Sequence, residues 1–225
     1  MASVSTATQR KSSYSSAQMA RRRSRVLEEA RKLIGEAGYD GVTMRLLAER
    51  SQVASATLYN IYGNKETLVA TAVSELFEEQ IERATQECGQ GVDGALKRLD
   101  WIAGEILRMP EYARAMVTVY FSTTADSTVR DLLRNMSMTN YIYFLDLLRR
   151  QGQLEEWVNV DLVADEIANQ EFAVVHDWAI GRVDSARLAT RQKYTLLLTL
   201  GSVTCGPIAR LVQTRLKELQ EELAG

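Results

Sequence analysis

Ser55, Ala56, Thr57, Tyr59 and Asn60 place hydroxyls, an amide, a methyl and one aromatic ring within six consecutive positions. On a short helix locked from behind by Val53, Leu58 and Tyr62 all five would point outward, because Leu58 and Tyr62 form an i, i+4 pair on the opposite side. Such groups bond to base edges and phosphates and touch a thymine methyl. An ordinary helical hairpin with a polar outer face would carry the same residues. Other chemistry is scarce. The single histidine, His176, lies one turn beyond Phe172 and beside Asp177. It reads first as a satisfied core or interface histidine, and second as a hydrogen-bonding group for a ligand. Cys88 and Cys205 are far apart in the sequence, and no CxxC or CxxxH spacing occurs. No metal site, disulfide framework or cofactor is therefore expected, and a reducing compartment fits. The chain has no GxSxG elbow, Walker A loop, dinucleotide fingerprint, HExxH or HxE…PCxxC pattern, which argues against an enzyme. A helical enzyme or an adaptor without DNA binding is the alternative reading.

The elements that must hold the outward residues are helical. With only two prolines in 225 residues, and Leu, Ala, Glu and Arg dominant, an all-α fold is expected. Arg21, Arg22, Arg23 and Arg25 open a helix whose apolar face is Val26, Leu27, Ala30, Leu33, Ile34 and Ala37, with Gly38 as its C-cap. Thr43 is a good N-cap for a short second helix through Arg50. Ser51 and Gln52 form a turn, and a third helix covers about Ser55 to Tyr62. Gly63 and Asn64 break the chain, and Asn64 caps a long helix facing inward through Leu68, Ala72, Val73, Leu76 and Ile81. Two short helices joined by a tight turn behind a longer one make a helix-turn-helix.

The stretch from Val42 to Leu68 resembles the DNA-binding signature of the TetR family of bacterial transcriptional regulators. Thr43, Arg45 and Ala48 match its T-x-R-x-x-A. Val53, Thr57, Leu58 and Tyr59 match V-x-x-x-T-L-Y, and Lys65 and Leu68 match K-x-x-L. Ala37 to Gly41 is similar to the family's exit from its first helix. The resemblance covers residues 20–80. It implies that Thr43 caps the second helix and touches a phosphate, and that Arg45 reaches a phosphate or a guanine edge. It further implies that Thr57 and Tyr59 contact backbone and base edges. Lys65 would sit at the start of the fourth helix, where free N–H groups favour a phosphate. Three positions depart from the pattern. Gln52 stands where Gly is common, at a strain cost if it is left-handed. Ala54 replaces a Ser N-cap, so Ser55 or a shifted start must compensate. Ile61 replaces a polar residue. Tyr62, where Phe is usual, reads as core.

The expected organisation is a disordered polar tail over 1–18, a helix-turn-helix domain over 19–66, and a helical ligand-binding and dimerisation domain over 67–225. Charge divides accordingly. Residues 1–70 hold eleven Lys/Arg and six Asp/Glu, against sixteen and twenty-three in the remainder, which suggests a polyanion-binding head on a body with another task. In the body, helices are expected from about 92 to 109, from Pro110 to Phe121, from an Asp126 cap to Arg150, over 160–181 and 184–204, and from Pro207 to Leu223. Ten of the sixteen aromatics fall between residues 92 and 182. Trp101, Tyr112, Tyr120, Tyr141, Phe144, Phe172 and His176 are the expected wall of a site for a small apolar or amphipathic effector. Solid packing of a helical core is the other reading of the same residues. Leu196, Leu197, Leu198 and Leu200, with Gly201 and Ser202, suggest a face that pairs helices 160–181 and 184–204 with their copies in a homodimer. No signal peptide or bilayer-spanning stretch is legible, so a cytoplasmic, operator-binding repressor is expected, with no membrane partner.

Overall fold

The computed structural model describes residues 5–123 and 127–224. Its helices are α1 Ser5–Gly41, α2 Met44–Ser51, α3 Ser55–Tyr62, α4 Lys65–Cys88, α5 Gly91–Arg108, α6 Pro110–Phe121, α7 Ser127–Arg150, α8 Val160–Ala179, α9 Leu188–Val203 and α10 Gly206–Ala224. A 3-10 turn, Ser185–Arg187, leads into α9, and one isolated antiparallel bridge joins Leu154 to Thr204. The all-α expectation holds. Residues 1–4 of the expected tail, and the expected cap Asp126, lie outside the described residues. From Ser5 onward the tail is helical where its Ser-rich composition suggested disorder. A helix nucleated by the packed segment from Val26 propagates backward without a second nucleation cost.

The chain divides into two compact units, Met1–Val73 and Ser74–Gly225. The division falls inside α4 rather than at 66/67 because Leu68, Val69, Ala72 and Val73 are buried in the first unit. There they join Val26, Leu27, Ala30, Leu33 and Ile34 of α1, Leu47 and Ala48 of α2, and Leu58 and Tyr62 of α3. Ala37 departs from the expected face and is exposed. Gly38 follows it with φ 68° and ψ 176°, which breaks the helical path before that face completes another turn. α2 is tied to α1 by Arg50, whose guanidinium donates to both Glu36 carboxylate oxygens at 2.7 and 2.9 Å and to Glu29 at 3.1 Å.

In the second unit α8 packs against α6, α7 and α9, and α9 packs against α10 and α5. One apolar cluster gathers Val92, Leu99, Tyr141, Phe144, Leu145, Leu148, Ile167, Leu197 and Leu200. A second gathers Ala103, Val117, Val174, Val175, Trp178 and Leu188. Only Gly89 and Gln90 separate α4 from α5. A Cβ at Gly94 would lie 2.4 Å from the Gly89 carbonyl oxygen, so only glycine permits α5 to begin so soon after α4. Leu196, Leu197 and Leu200 are buried inside this unit, so the chain itself covers three of the four leucines expected on a subunit face. Leu198, Gly201 and Ser202 remain exposed. Among the described residues no helix is long and apolar enough to cross a membrane.

Candidate functional site

The turn before α3 is set by Gln52, at φ 55° and ψ 42°, the left-handed conformation that glycine adopts without strain. Its backbone N–H closes α2 on the Ala48 and Glu49 carbonyls. Thr43 caps α2, its hydroxyl accepting from Leu46 N at 3.2 Å. Ala54 provides no side-chain cap to α3, and the helix starts at Ser55 without compensation. The N–H groups of the first turn thus lack a side-chain acceptor, at the helix end that favours an anion.

Leu58 is fully buried and Tyr62 is 7% exposed, while Ser55, Ala56, Thr57, Tyr59 and Asn60 are all exposed. The structure therefore gathers these five on one outward face. Ile61 joins them at 61% exposure, an apolar group that sequence reasoning left out. The two arginines of α2 part company. Arg50 is consumed by Glu36 and Glu29, which raise its pKa. Arg45 is exposed and has no hydrogen-bond or ion-pair partner among the described residues. Lys65 is half-buried: its ammonium lies 4.3 Å from the Tyr39 ring centroid and 3.5 Å from the Tyr39 carbonyl oxygen. Asn64 caps α4 through Thr67 N at 2.7 Å.

The expected ligand wall separates into two places. Tyr120 stacks on Phe172 with centroids 3.9 Å apart and donates its hydroxyl to Asn169 at 2.6 Å. Phe121 bridges edge-on to Tyr120 and to His176. These rings form a packed cluster on α6 and α8. Phe144 is core, at 3% exposure, and Trp101 and Tyr112 are half-buried. Of the seven, only Tyr141 lines the cleft that α4, α5, α7 and α8 form. Phe77, Ile81, Ala95, Leu99 and Ile102 supply the apolar wall of this cleft, and Arg98, Ser137, Asn140 and Glu171 its polar end. About 20 Å³ of it can hold a water, within about 370 Å³ of space that includes its open mouth. The Ser137 hydroxyl donates to Glu171 at 3.0 Å, and Tyr141 also hydrogen-bonds this carboxyl. Glu171 was legible in principle. Ala164, Ile167, Ala168 and Trp178 are buried on the same helix at helical spacing, and position 171 continues their stripe.

Burial pushes the Glu171 carboxyl above the usual carboxylate range, against the pull of Ser137, Tyr141 and Arg98. A raised folded-state pKa means that the unfolded chain ionises first as pH rises. Stability therefore falls from about pH 4.5 upward until the folded-state value is passed. Glu171→Gln should gain stability relative to the parent between pH 4 and pH 7 in denaturant titrations. An equal difference at both pH values would mean that the folded protein holds Glu171 with an ordinary carboxylate pKa.

A three-helix head with a helix-turn-helix, whose second helix presents small polar residues and whose first carries an exposed arginine with no partner among the described residues, is the form of a DNA-binding protein, here joined to a helical body. Residues 26–72 match the family model of bacterial regulatory proteins, tetR family. The HTH-type transcriptional repressor KstR of Rhodococcus jostii is 26% identical over 202 residues, which span 88% of this chain and 92% of the relative. KstR of Mycolicibacterium smegmatis is 32% identical over 87 residues, 39% of this chain and 42% of the relative. FadR from Bacillus subtilis, solved in complex with stearoyl-CoA, superposes with a TM-score of 0.63 at 17% identity, over 76% of this chain and 96% of that one. Residues 26–72 are thus similar to the DNA-binding region of the TetR family, and the curated relatives matched are named transcriptional repressors.

Proposed function

We propose that the chain represses transcription as a homodimer in the cytoplasm, where the DNA lies, and leaves its operator when a small apolar or amphipathic molecule enters the second unit. The carrying observation is the outward face of α3, five exposed residues over a buried Leu58. Thr43, Arg45, Ser55, Ala56, Thr57, Tyr59, Asn60 and Lys65 are its DNA contacts. The exposed arginines at Arg21, Arg22, Arg23 and Arg25 add a phosphate or minor-groove arm. Repression agrees with the named role of the KstR relatives, and an amphipathic effector with the stearoyl-CoA held by FadR. The exposed apolar residues Leu162, Ile180 and Leu198, with the small exposed Gly201 and Ser202, on and beside α8 and α9 support pairing with a second copy. The cleft has room for about one water, so a larger effector must part its walls, Phe77 and Ile81 of α4 among them. α4 is the lever, since the same helix supplies Leu68 and Ala72 to the head. Moving an equilibrium from almost all bound to almost none takes about 5.5 kcal/mol of preference for the released state.

The test is selection of duplex fragments by the full chain from a random pool, followed by binding at several salt concentrations. A palindromic site with half-sites about 34–36 Å apart, or a somewhat wider variant, is expected. Lys65→Ala should flatten the salt dependence by roughly one unit per half-site. If the slope does not change, Lys65 stays with Tyr39 when DNA binds. A pool from which no sequence is enriched would overturn the operator reading.

A further inference from the structure

The polar end of the cleft in the second unit combines groups that no aromatic pattern anticipates. Arg98 reaches it from α5 and Glu171 from α8, with Ser137, Asn140 and Tyr141 on α7 between. Among the described residues Arg98 has no hydrogen-bond or ion-pair partner, Glu171 included, and its positive charge favours the ionised forms of Glu171 and Tyr141. Glu171 accepts from Ser137 and Tyr141 and keeps further lone-pair capacity, since a carboxylate offers about four acceptor sites. Asn140 spends one amide proton on the Met136 carbonyl at 3.0 Å. A ligand entering along Phe77, Ile81, Leu99 and Ile102 therefore meets an unfilled cationic donor and, at a pH where Glu171 is ionised, an anionic acceptor within the same cleft.

That pairing discriminates among polar groups. A carboxylate would gain from Arg98 and be repelled by Glu171. An ammonium would gain from Glu171 and be repelled by Arg98. In a partly desolvated cleft, a like charge nearby is costly. A hydroxyl both accepts and donates, so it satisfies the two residues together and brings no charge of its own. We propose that the cleft selects a neutral amphipathic alcohol or phenol, whose hydroxyl accepts from Arg98 and donates to Glu171 while its apolar body lies against Phe77, Ile81, Leu99 and Ile102. This rests on the reading that a small molecule enters the second unit, and it names the class of that molecule.

The test uses the full chain and three probes with one apolar body: decan-1-ol, decanoate and decylammonium. Binding is read as the shift of the melting temperature and by titration calorimetry. Decan-1-ol should bind at least tenfold more tightly than either charged probe. Glu171→Gln should weaken decan-1-ol about tenfold and improve decanoate, because Arg98 is left alone. Arg98→Met should likewise weaken decan-1-ol about tenfold, and should improve decylammonium because Glu171 is left alone. A merely structural role for the two residues would change stability without exchanging the order of the probes. Ile102→Trp, which fills the slot, should remove all three shifts. If a charged probe binds the parent as well as the alcohol, or if both substitutions leave the order unchanged, the hydroxyl assignment fails. In that case the ligand reading stands, provided that Ile102→Trp still abolishes binding. If no probe binds the parent, both fall together.

Discussion

Replacing Leu58 by Ala should cost the head about 2–5 kcal/mol, the range for a fully buried leucine. It should also lower operator affinity by roughly a hundredfold. Leu58 has no exposed surface and is the apolar anchor at the centre of an eight-residue helix with no side-chain cap. Without it α3 loses the contact that fixes its rotation, and several base and phosphate contacts per half-site loosen together. Tyr59, the next residue, is 53% exposed and should behave oppositely. Tyr59→Ala should leave the melting of the head unchanged and relax sequence preference by about 1–3 kcal/mol per lost base contact. Thermal melts followed by circular dichroism, paired with binding to selected and scrambled duplexes, separate the two effects. Comparable melting losses for both variants would mean that α3 is rotated from the arrangement described above.

Phe144→Ala should destabilise the second unit by about 3–5 kcal/mol and lower its melting temperature by on the order of 10 °C. Its ring is 3% exposed and packs in the cluster with Leu145, Leu148 and Ile167. Truncation leaves a cavity that those neighbours cannot fill. Tyr141→Phe keeps the ring and removes only the hydroxyl that faces Glu171, for about 1 kcal/mol of stability. Its main consequence should be an altered response to hydrophobic effectors, with operator affinity in their absence intact. A melting temperature untouched by Phe144→Ala, together with a lost effector response, would return Phe144 to the ligand wall.

The aromatic set shows how far residue type alone reaches. Composition identifies a body rich in rings, but a ring that fills a core and a ring that faces a ligand have the same type and helical spacing. Tyr120 and Phe172 stack on each other, Phe144 is core, and only Tyr141 reaches the cleft. Glu171 had a signal of a different kind, a carboxylate on an apolar stripe, which the surrounding acidic residues of α8 obscured.

What the sequence determined by itself is what depends on neighbours a few residues away. The helical class, the Thr43 and Asn64 caps, the glycine break at Gly38 and the turn at Gln52 are local, set by backbone sterics and by hydrogen bonds that span three or four positions. The inner and outer faces of α3 follow from the same periodicity, since Leu58 and Tyr62 can share only one side. Only the tertiary structure decided which charges stay available. Arg50 and Arg45 are equal in type, yet Arg50 is taken by Glu29 and Glu36, twenty-one and fourteen residues away, while Arg45 is left to solvent. Lys65 meets Tyr39 across twenty-six residues. Leu196, Leu197 and Leu200 were drawn into their own core rather than a partner's because α5, α8 and α10 close over α9. Each outcome depends on contacts between elements distant in the chain, and their energies come from burial and pairing that no local window contains.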